Sequence, residues 1–131
     1  MVGNSKYYNY TLSVNGKEVV HGDDYSKDYL TDVIRRRALR FLGHKYKSKD
    51  ESPFLLMLAP PACHAPFTPA PQNEDMYENI TAPRTEAFNR FNKDDPAKHW
   101  LMNTHPRQMS DETIATVDSK FRDRWRTLRL V

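Results

Sequence analysis

Cysteine, glycine and long apolar runs are scarce in this 131-residue sequence, and each scarcity excludes a class of protein. Cys63 is the only cysteine, so no disulfide can form within the chain. Four glycines stand against nine prolines, and none of them builds a phosphate-cradling loop. No apolar run is long enough to cross a membrane. The net charge of +3 is too small to indicate a nucleic-acid partner on its own.

The remaining composition is that of a globular chain. Hydrophobic residues make up 38% of it and aromatic residues 11%, which favours a folded state over disorder. The length suits one domain.

The N-terminal third carries two local signals. Residues 6–14 are rich in aromatic and β-branched residues, which favour a strand. Asn15 and Gly16 predict a tight hairpin turn, with residues 17–21 as the returning strand. Residues 25–42 have apolar side chains at three- and four-residue spacing and predict a helix, on which Arg35, Arg36 and Arg37 form a solvated face rather than an anion patch.

The remainder alternates regular and irregular segments. Residues 53–59 form a continuous apolar run, typical of a parallel strand that is buried on both faces. Residues 60–109 are proline-rich and nearly without periodicity, which is typical of a segment that builds a site. Residues 110–130 predict a second long helix, with Ser110 as its N-cap. A buried strand needs partner strands, so the sequence indicates part of a larger α/β domain.

His64 is the strongest candidate for a functional residue, because it follows the predicted buried strand directly. Ligand sites in open α/β sheets form beyond the carboxyl ends of strands. A histidine there can contact an anion or act as an acid, although a loop histidine bonded to backbone remains the alternative. The neighbouring Cys63 is better interpreted as a small buried thiol than as a nucleophile.

A second polar cluster, Lys98, His99 and Trp100, lies in the irregular region. It can bind an anionic sugar, or it can be a surface turn anchored by the tryptophan. The five histidines show no metal-ligand spacing, so we predict no metal site in the chain. Asn9 and Asn79 begin N-x-Thr sequons and are candidate glycosylation sites.

Several motifs in order along almost the whole chain resemble one family, the sulfatases, in particular those acting on the 6-sulfate of N-acetylglucosamine. The extracellular heparan endosulfatases are similar over the same stretch, especially at Lys98, His99 and Trp100. The residues that carry the resemblance are Tyr7–Gly16, His21-Gly22, Tyr25–Asp32, Ala62–Phe67, Ala70–Gln72, Ala82–Arg84, Lys98–Leu101 and Phe121–Leu128.

The resemblance implies a partial alkaline-phosphatase-like α/β fold, with residues 1–131 as an internal fragment of an N-terminal catalytic domain. It implies hydrolysis of sulfate esters in heparan or keratan sulfate, through a formylglycine made from cysteine and a calcium ion. Cys63 is not that cysteine, because His-Ala-Pro-Phe follows it where the family has a residue of any kind and then Pro-Ser-Arg. The Asp-Asn metal motif is also expected elsewhere, so we expect the chain alone to be inactive.

The resemblance also places His64 at the sulfate, with Lys98 and His99 shaping the substrate pocket. It implies a sulfated glycosaminoglycan as partner and a lysosomal location, with an extracellular one as the alternative. It implies neither a nucleic-acid nor a membrane partner, and the oligomeric state stays open. Two other hypotheses remain: a non-catalytic module that binds sulfated glycans, and a nucleic-acid-binding domain built on the basic C-terminal helix.

Overall fold

The N-terminal hairpin forms around the predicted turn, but its first strand begins at Thr11 and not at residue 6. The structure is a computed structural model that describes residues 6–48, 51–90, 99 and 108–129. Strands β1 (Thr11–Val14) and β2 (Lys17–Val20) pair antiparallel. Asn15 and Gly16 have φ values of 51° and 79°, the positive angles that a two-residue hairpin turn requires.

Helices α1 (Tyr25–Asp28) and α2 (Leu30–Ser48) follow the hairpin. The Asp24 carboxylate begins α1 by accepting a hydrogen bond of 2.9 Å from the Ser26 amide. The single helix predicted over residues 25–42 is therefore divided at Tyr29 and continues to Ser48. Lysines in the last turn suit the negative end of the helix dipole.

Histidine–carboxylate and aromatic contacts join the hairpin to α1. His21 Nδ1 lies 3.0 Å from Asp28 Oδ1, and the Tyr10 ring stacks on the His21 ring with centroids 4.8 Å apart. The Tyr10 hydroxyl donates to the Asp28 carbonyl at 2.8 Å. The end of the hairpin is closed by the Asn9 amide, which donates to the Gly22 carbonyl at 2.8 Å.

The apolar run at residues 53–59 does not confirm the predicted buried parallel strand. Residues 51–61 contain neither helix nor strand, and Leu55 and Met57 are 94% and 85% exposed. A parallel strand requires neighbours that take its backbone hydrogen bonds. Within the described ranges β1 and β2 pair only with each other, so the run has no strand to join.

Helix α3 (Asp111–Leu128) matches the second predicted helix within two residues at each end. Ser110 is its N-cap, as predicted, and its hydroxyl accepts from the Thr113 amide at 3.3 Å. The apolar side chains of α3 are only partly covered, because Trp125 and Leu128 remain 45% and 48% exposed.

Polar contacts attach the irregular segment 71–84 to α3. The buried Asn73 amide donates to the Arg129 and Arg126 carbonyls at 2.9 and 3.4 Å. Asp118 accepts from the Ala82 amide at 2.9 Å and from the Arg84 guanidinium at 2.6 Å. These contacts lay segment 71–84 along α3, while the site-building role of residues 60–109 stays a prediction.

The core is small and aromatic. Its buried members are Tyr7, Tyr29 and Ala70, against which Tyr8 and Tyr25 pack. The described part of the chain thus combines helices with one two-stranded antiparallel sheet. Its helices are all too short or too polar to form a membrane span.

Candidate functional site

The segment that contains His64 forms two consecutive turns. The His64 amide donates to the Pro61 carbonyl at 2.8 Å, and the Phe67 amide donates to the His64 carbonyl at 3.1 Å. Phe67 has a positive φ of 59°. We call residues 59–68 the His64 loop. Its path is fixed by backbone hydrogen bonds as well as by its prolines.

Two buried tyrosines hold the His64 loop from below. The Tyr7 hydroxyl donates to the His64 carbonyl at 2.9 Å, and the Tyr29 hydroxyl donates to the Thr68 carbonyl at 3.1 Å. The rings stack with centroids 6.0 Å apart, and each residue is at most 3% exposed. We call this pair the tyrosine clamp, because it fixes both the middle and the end of the loop.

Burial keeps the clamp protonated. Loss of water around the ring is the main cause that raises the pKa of Tyr29 to about 12, and nearby negative charge adds to it. Burial likewise raises the pKa of Tyr7 above its ordinary value. Both hydroxyls therefore remain hydrogen-bond donors throughout the physiological pH range.

The His64 ring is oriented by its own loop. Nδ1 lies 2.8 Å from the Ala65 carbonyl oxygen, which can only accept, so Nδ1 carries the proton of this hydrogen bond. The residue is exposed, which leaves Nε2 available to a ligand. In the imidazolium form Nε2–H donates a charge-assisted hydrogen bond, and this suits an anionic oxygen.

An open depression of about 450 Å³ lies at the His64 loop. It is lined by Leu30 and by the loop residues from Ala59 to His64. The imidazole of His64 is the one nitrogen-containing side chain among these lining residues. A rigid backbone wall with a single oriented donor is suited to positioning a ligand. Breaking a bond of that ligand requires further catalytic groups.

Helix α3 passes beside the same loop. The Arg124 guanidinium Nη2 lies 3.9 Å from Cys63 Sγ, and Lys120 Nζ lies 6.0 Å from the Phe67 ring centroid. Cys63 is a free thiol that is only half-buried, whereas a buried thiol was predicted.

The other predicted site residues fall partly outside the described ranges. Lys98 lies outside the described residues. His99 is described as exposed and outside helix and strand. Asn9 and Asn79 are both exposed, which is compatible with the predicted glycosylation.

The described residues do not fit a calcium site. Among them, no group of three or more histidine, cysteine, aspartate or glutamate side chains converges closely enough to hold a metal ion.

Sequence reasoning missed the tyrosine clamp and the cations beside the loop. Tyr7 and Tyr29 were interpreted as strand and helix residues, because aromatic richness near the N-terminus signals β-structure first. Their partners lie 57 and 39 residues further along the chain. The one available hint was that the tyrosine-rich N-terminal segment is longer than a hairpin strand needs to be.

Comparison with known proteins shows which family this chain is similar to. Over 125 residues, 95% of this chain, it is 49% identical to N-acetylglucosamine-6-sulfatase of Homo sapiens and 48% identical to that of Capra hircus. The chain carries sulfatase-family sequence. A more distant sulfatase, the extracellular sulfatase SULF-1 homolog of Drosophila melanogaster, is 36% identical over 109 residues.

This sulfatase stretch is short relative to the whole enzymes. It spans about a fifth of the length of the N-acetylglucosamine-6-sulfatases that it matches, and a tenth of the Drosophila protein. No family model and no solved structure matches it.

Proposed function

We propose that this chain forms the sulfate-contacting wall of a sulfuric ester hydrolase, with His64 as the residue that contacts the sulfate. The observation that carries the proposal is the exposed His64 ring, whose Nδ1 is fixed on a clamped loop so that Nε2 faces outward. This loop lies within a stretch that is about half identical to N-acetylglucosamine-6-sulfatases.

The chemistry of His64 follows from its orientation. As an imidazolium it donates from Nε2 to an anionic sulfate oxygen, or to the ester oxygen on which negative charge develops as the S–O bond breaks. Lys98 and His99 are proposed to line the substrate pocket, on the strength of the sequence match alone. The substrate proposed is the 6-sulfate of N-acetylglucosamine in heparan or keratan sulfate.

The fold proposed for the intact enzyme is alkaline-phosphatase-like, with this chain as an internal fragment of its catalytic domain. Residues 53–59 then act as a parallel strand in a sheet that other parts of the enzyme complete. The exposure of Leu55 and Met57 supports this proposal, because apolar side chains of this kind are normally covered.

The formylglycine and calcium expected in such an enzyme come from residues that this stretch does not supply. A calcium ion held by such residues would act as a Lewis acid on the sulfate. We propose that the enzyme is glycosylated at Asn9 and Asn79 and is lysosomal, with secretion as the alternative, since the Drosophila relative is named an extracellular sulfatase.

A chimeric enzyme tests the proposal. This chain replaces the matching 125-residue stretch of human N-acetylglucosamine-6-sulfatase, and hydrolysis of a monosulfated N-acetylglucosamine 6-sulfate ester is measured. We expect the chimera to be active and His64→Ala to lower kcat by about 100-fold or more, because an oriented donor to developing charge is lost.

His44→Ala is the matched control, since His44 is an exposed histidine on α2 and should leave kcat unchanged. A His64→Ala chimera with full activity would exclude the assigned role. A folded but inactive chimera, together with binding of the chain to sulfated glycans, would favour a non-catalytic glycan-binding module.

A further inference from the structure

Two cations of α3 lie beside the His64 loop. Lys120 and Arg124 are four residues apart, so they occupy adjacent turns of one helix face. Both are exposed, and they approach the loop at Phe67 and Cys63, on either side of His64 in the sequence. A single helix face therefore presents two positive charges along the loop that carries the proposed sulfate contact.

These two cations differ from the other basic residues of the same helix. The Arg122 guanidinium donates to the Ile80 carbonyl at 3.2 Å, and that of Arg126 donates to the Met76 carbonyl at 2.8 Å while pairing with Asp123. These arginines hold segment 71–84 in place. In contrast, no carboxylate of the described residues forms an ion pair with Lys120 or Arg124.

The contacts that Lys120 and Arg124 do make are weak. A distance of 6.0 Å from an ammonium to a ring centroid is at the outer limit of a cation–π interaction, and a guanidinium–thiol contact of 3.9 Å is a poor hydrogen bond. Their charge is thus largely uncompensated. Rotation of either side chain toward an incoming anion breaks only a weak contact.

We infer that Lys120 and Arg124 form a second anion subsite beside His64, which takes a further sulfate or carboxylate of a polyanionic glycan. The inference rests on the proposed function, in which His64 contacts the sulfate that is removed. It deepens that function by naming two residues that contact a charge next to the removed sulfate, so that a multiply charged glycan chain is favoured over a monosulfated sugar.

The aromatic residues of α3 argue for a glycan rather than a single-stranded nucleic acid. Binding of single strands uses aromatic faces on which bases stack. Trp125 is 45% exposed, but its ring contacts the Tyr77 and Phe121 rings, with centroid distances of 6.1 and 6.2 Å. Phe67, next to Lys120, is only half-exposed.

The test measures binding of the full 131-residue chain to a heparin decasaccharide by calorimetry at several salt concentrations. The variant Lys120→Gln/Arg124→Gln removes the subsite. The control Lys17→Gln/Lys47→Gln removes the same charge from two exposed lysines of β2 and α2. Circular dichroism of each variant verifies that the helices remain.

We expect the subsite variant to bind about tenfold more weakly, since an exposed charge contact contributes up to about a factor of five. The control should change the affinity less than about twofold, and only the subsite variant should show a clearly shallower salt dependence. Equal weakening in both variants, or no binding by the unaltered chain, would overturn the inference. Equal or tighter binding to single-stranded DNA of matched charge would also overturn it.

The same double substitution in the chimera separates this inference from the proposed function. With the subsite assigned correctly, KM rises about tenfold for a multiply sulfated oligosaccharide and stays constant for the monosulfated ester. An inactive chimera contradicts the proposed function alone, since the heparin measurement does not depend on catalysis. An active chimera with unchanged KM for both substrates contradicts the subsite alone.

Discussion

The two halves of α2 lie in different surroundings although they belong to one continuous helix. The first half is covered: Thr31, Val33 and Ala38 are buried. The second half is bare, with Leu39 58% and Tyr46 89% exposed. The first half finds its partners within this chain, whereas the second half carries apolar surface for which the described residues provide little cover.

The bare half of α2 meets the apolar run of residues 53–58 at one small cluster. The rings of Phe41 and Phe54 contact edge to face with centroids 5.3 Å apart, and Lys45 Nζ lies 5.7 Å from the Phe54 centroid. The difference between the two halves of α2 shows that this stretch of sulfatase sequence holds the His64 loop with its own residues. It leaves the apolar surface of the second half uncovered.

The largest expected effect comes from comparing two truncations, one in the tyrosine clamp next to the covered half and one in the apolar run next to the bare half. Tyr29→Ala should lower the free energy of unfolding by about 3–5 kcal/mol, because it removes a buried ring of the core and the donor to Thr68. Leu55→Ala should lower it by less than about 0.5 kcal/mol, because Leu55 is already in water. Urea denaturation measures both, and similar losses would contradict the division into covered and bare regions.

Alkaline pH provides a second test. An unfolded tyrosine titrates near its ordinary pKa of 10.0, whereas folding raises the pKa of Tyr29 to about 12. Because the unfolded chain releases this proton first, the stability is complete below about pH 10 and is lost as pH rises toward 12. We expect a loss of about 2 kcal/mol from this residue.

Urea titrations at several pH values between 8 and 12 measure the loss. Tyr46→Phe should leave the profile unchanged, since Tyr46 belongs to the bare half. In Tyr29→Phe the alkaline decline should be smaller. A decline that stays the same in Tyr29→Phe would show that the clamp does not titrate as described.

The smallest effect is expected from removing one oxygen of the clamp. Tyr7→Phe keeps the ring but deletes the donor to the His64 carbonyl, at a cost of about 1 kcal/mol. The His64 loop should then open more often, so that Cys63 reacts faster with a soluble disulfide reagent. Tyr8→Phe is the control, because the Tyr8 hydroxyl has no hydrogen-bond partner among the described residues. An unchanged rate in Tyr7→Phe would mean that the clamp does not restrain the loop.

Local signals predicted the hairpin and α3, and the structure explains why. The turn at Asn15 and Gly16 depends on two backbone angles, and the start of α3 depends on one hydroxyl, that of Ser110. Such features need nothing from distant residues. The coarse class, helices with a small sheet, followed from them.

Features that depend on distant partners could not be predicted in the same way. The apolar run at residues 53–59 has the composition of a buried strand, but composition does not provide the neighbouring strands that bury it. Its position after the apolar run and the likeness to sulfatases selected His64, while the clamp by Tyr7 and Tyr29 appears only when residues far apart in sequence are brought together.

The tyrosine clamp binds main-chain carbonyls and no loop side chain. A hydroxyl that holds a carbonyl oxygen is indifferent to which side chain that residue bears. The identity of the residues on the His64 loop is therefore separated from its anchorage. Substitution at Cys63, His64 or Phe67 changes what the loop presents to a ligand while the two anchoring bonds stay available, so a family with this arrangement can alter its specificity without rebuilding its scaffold.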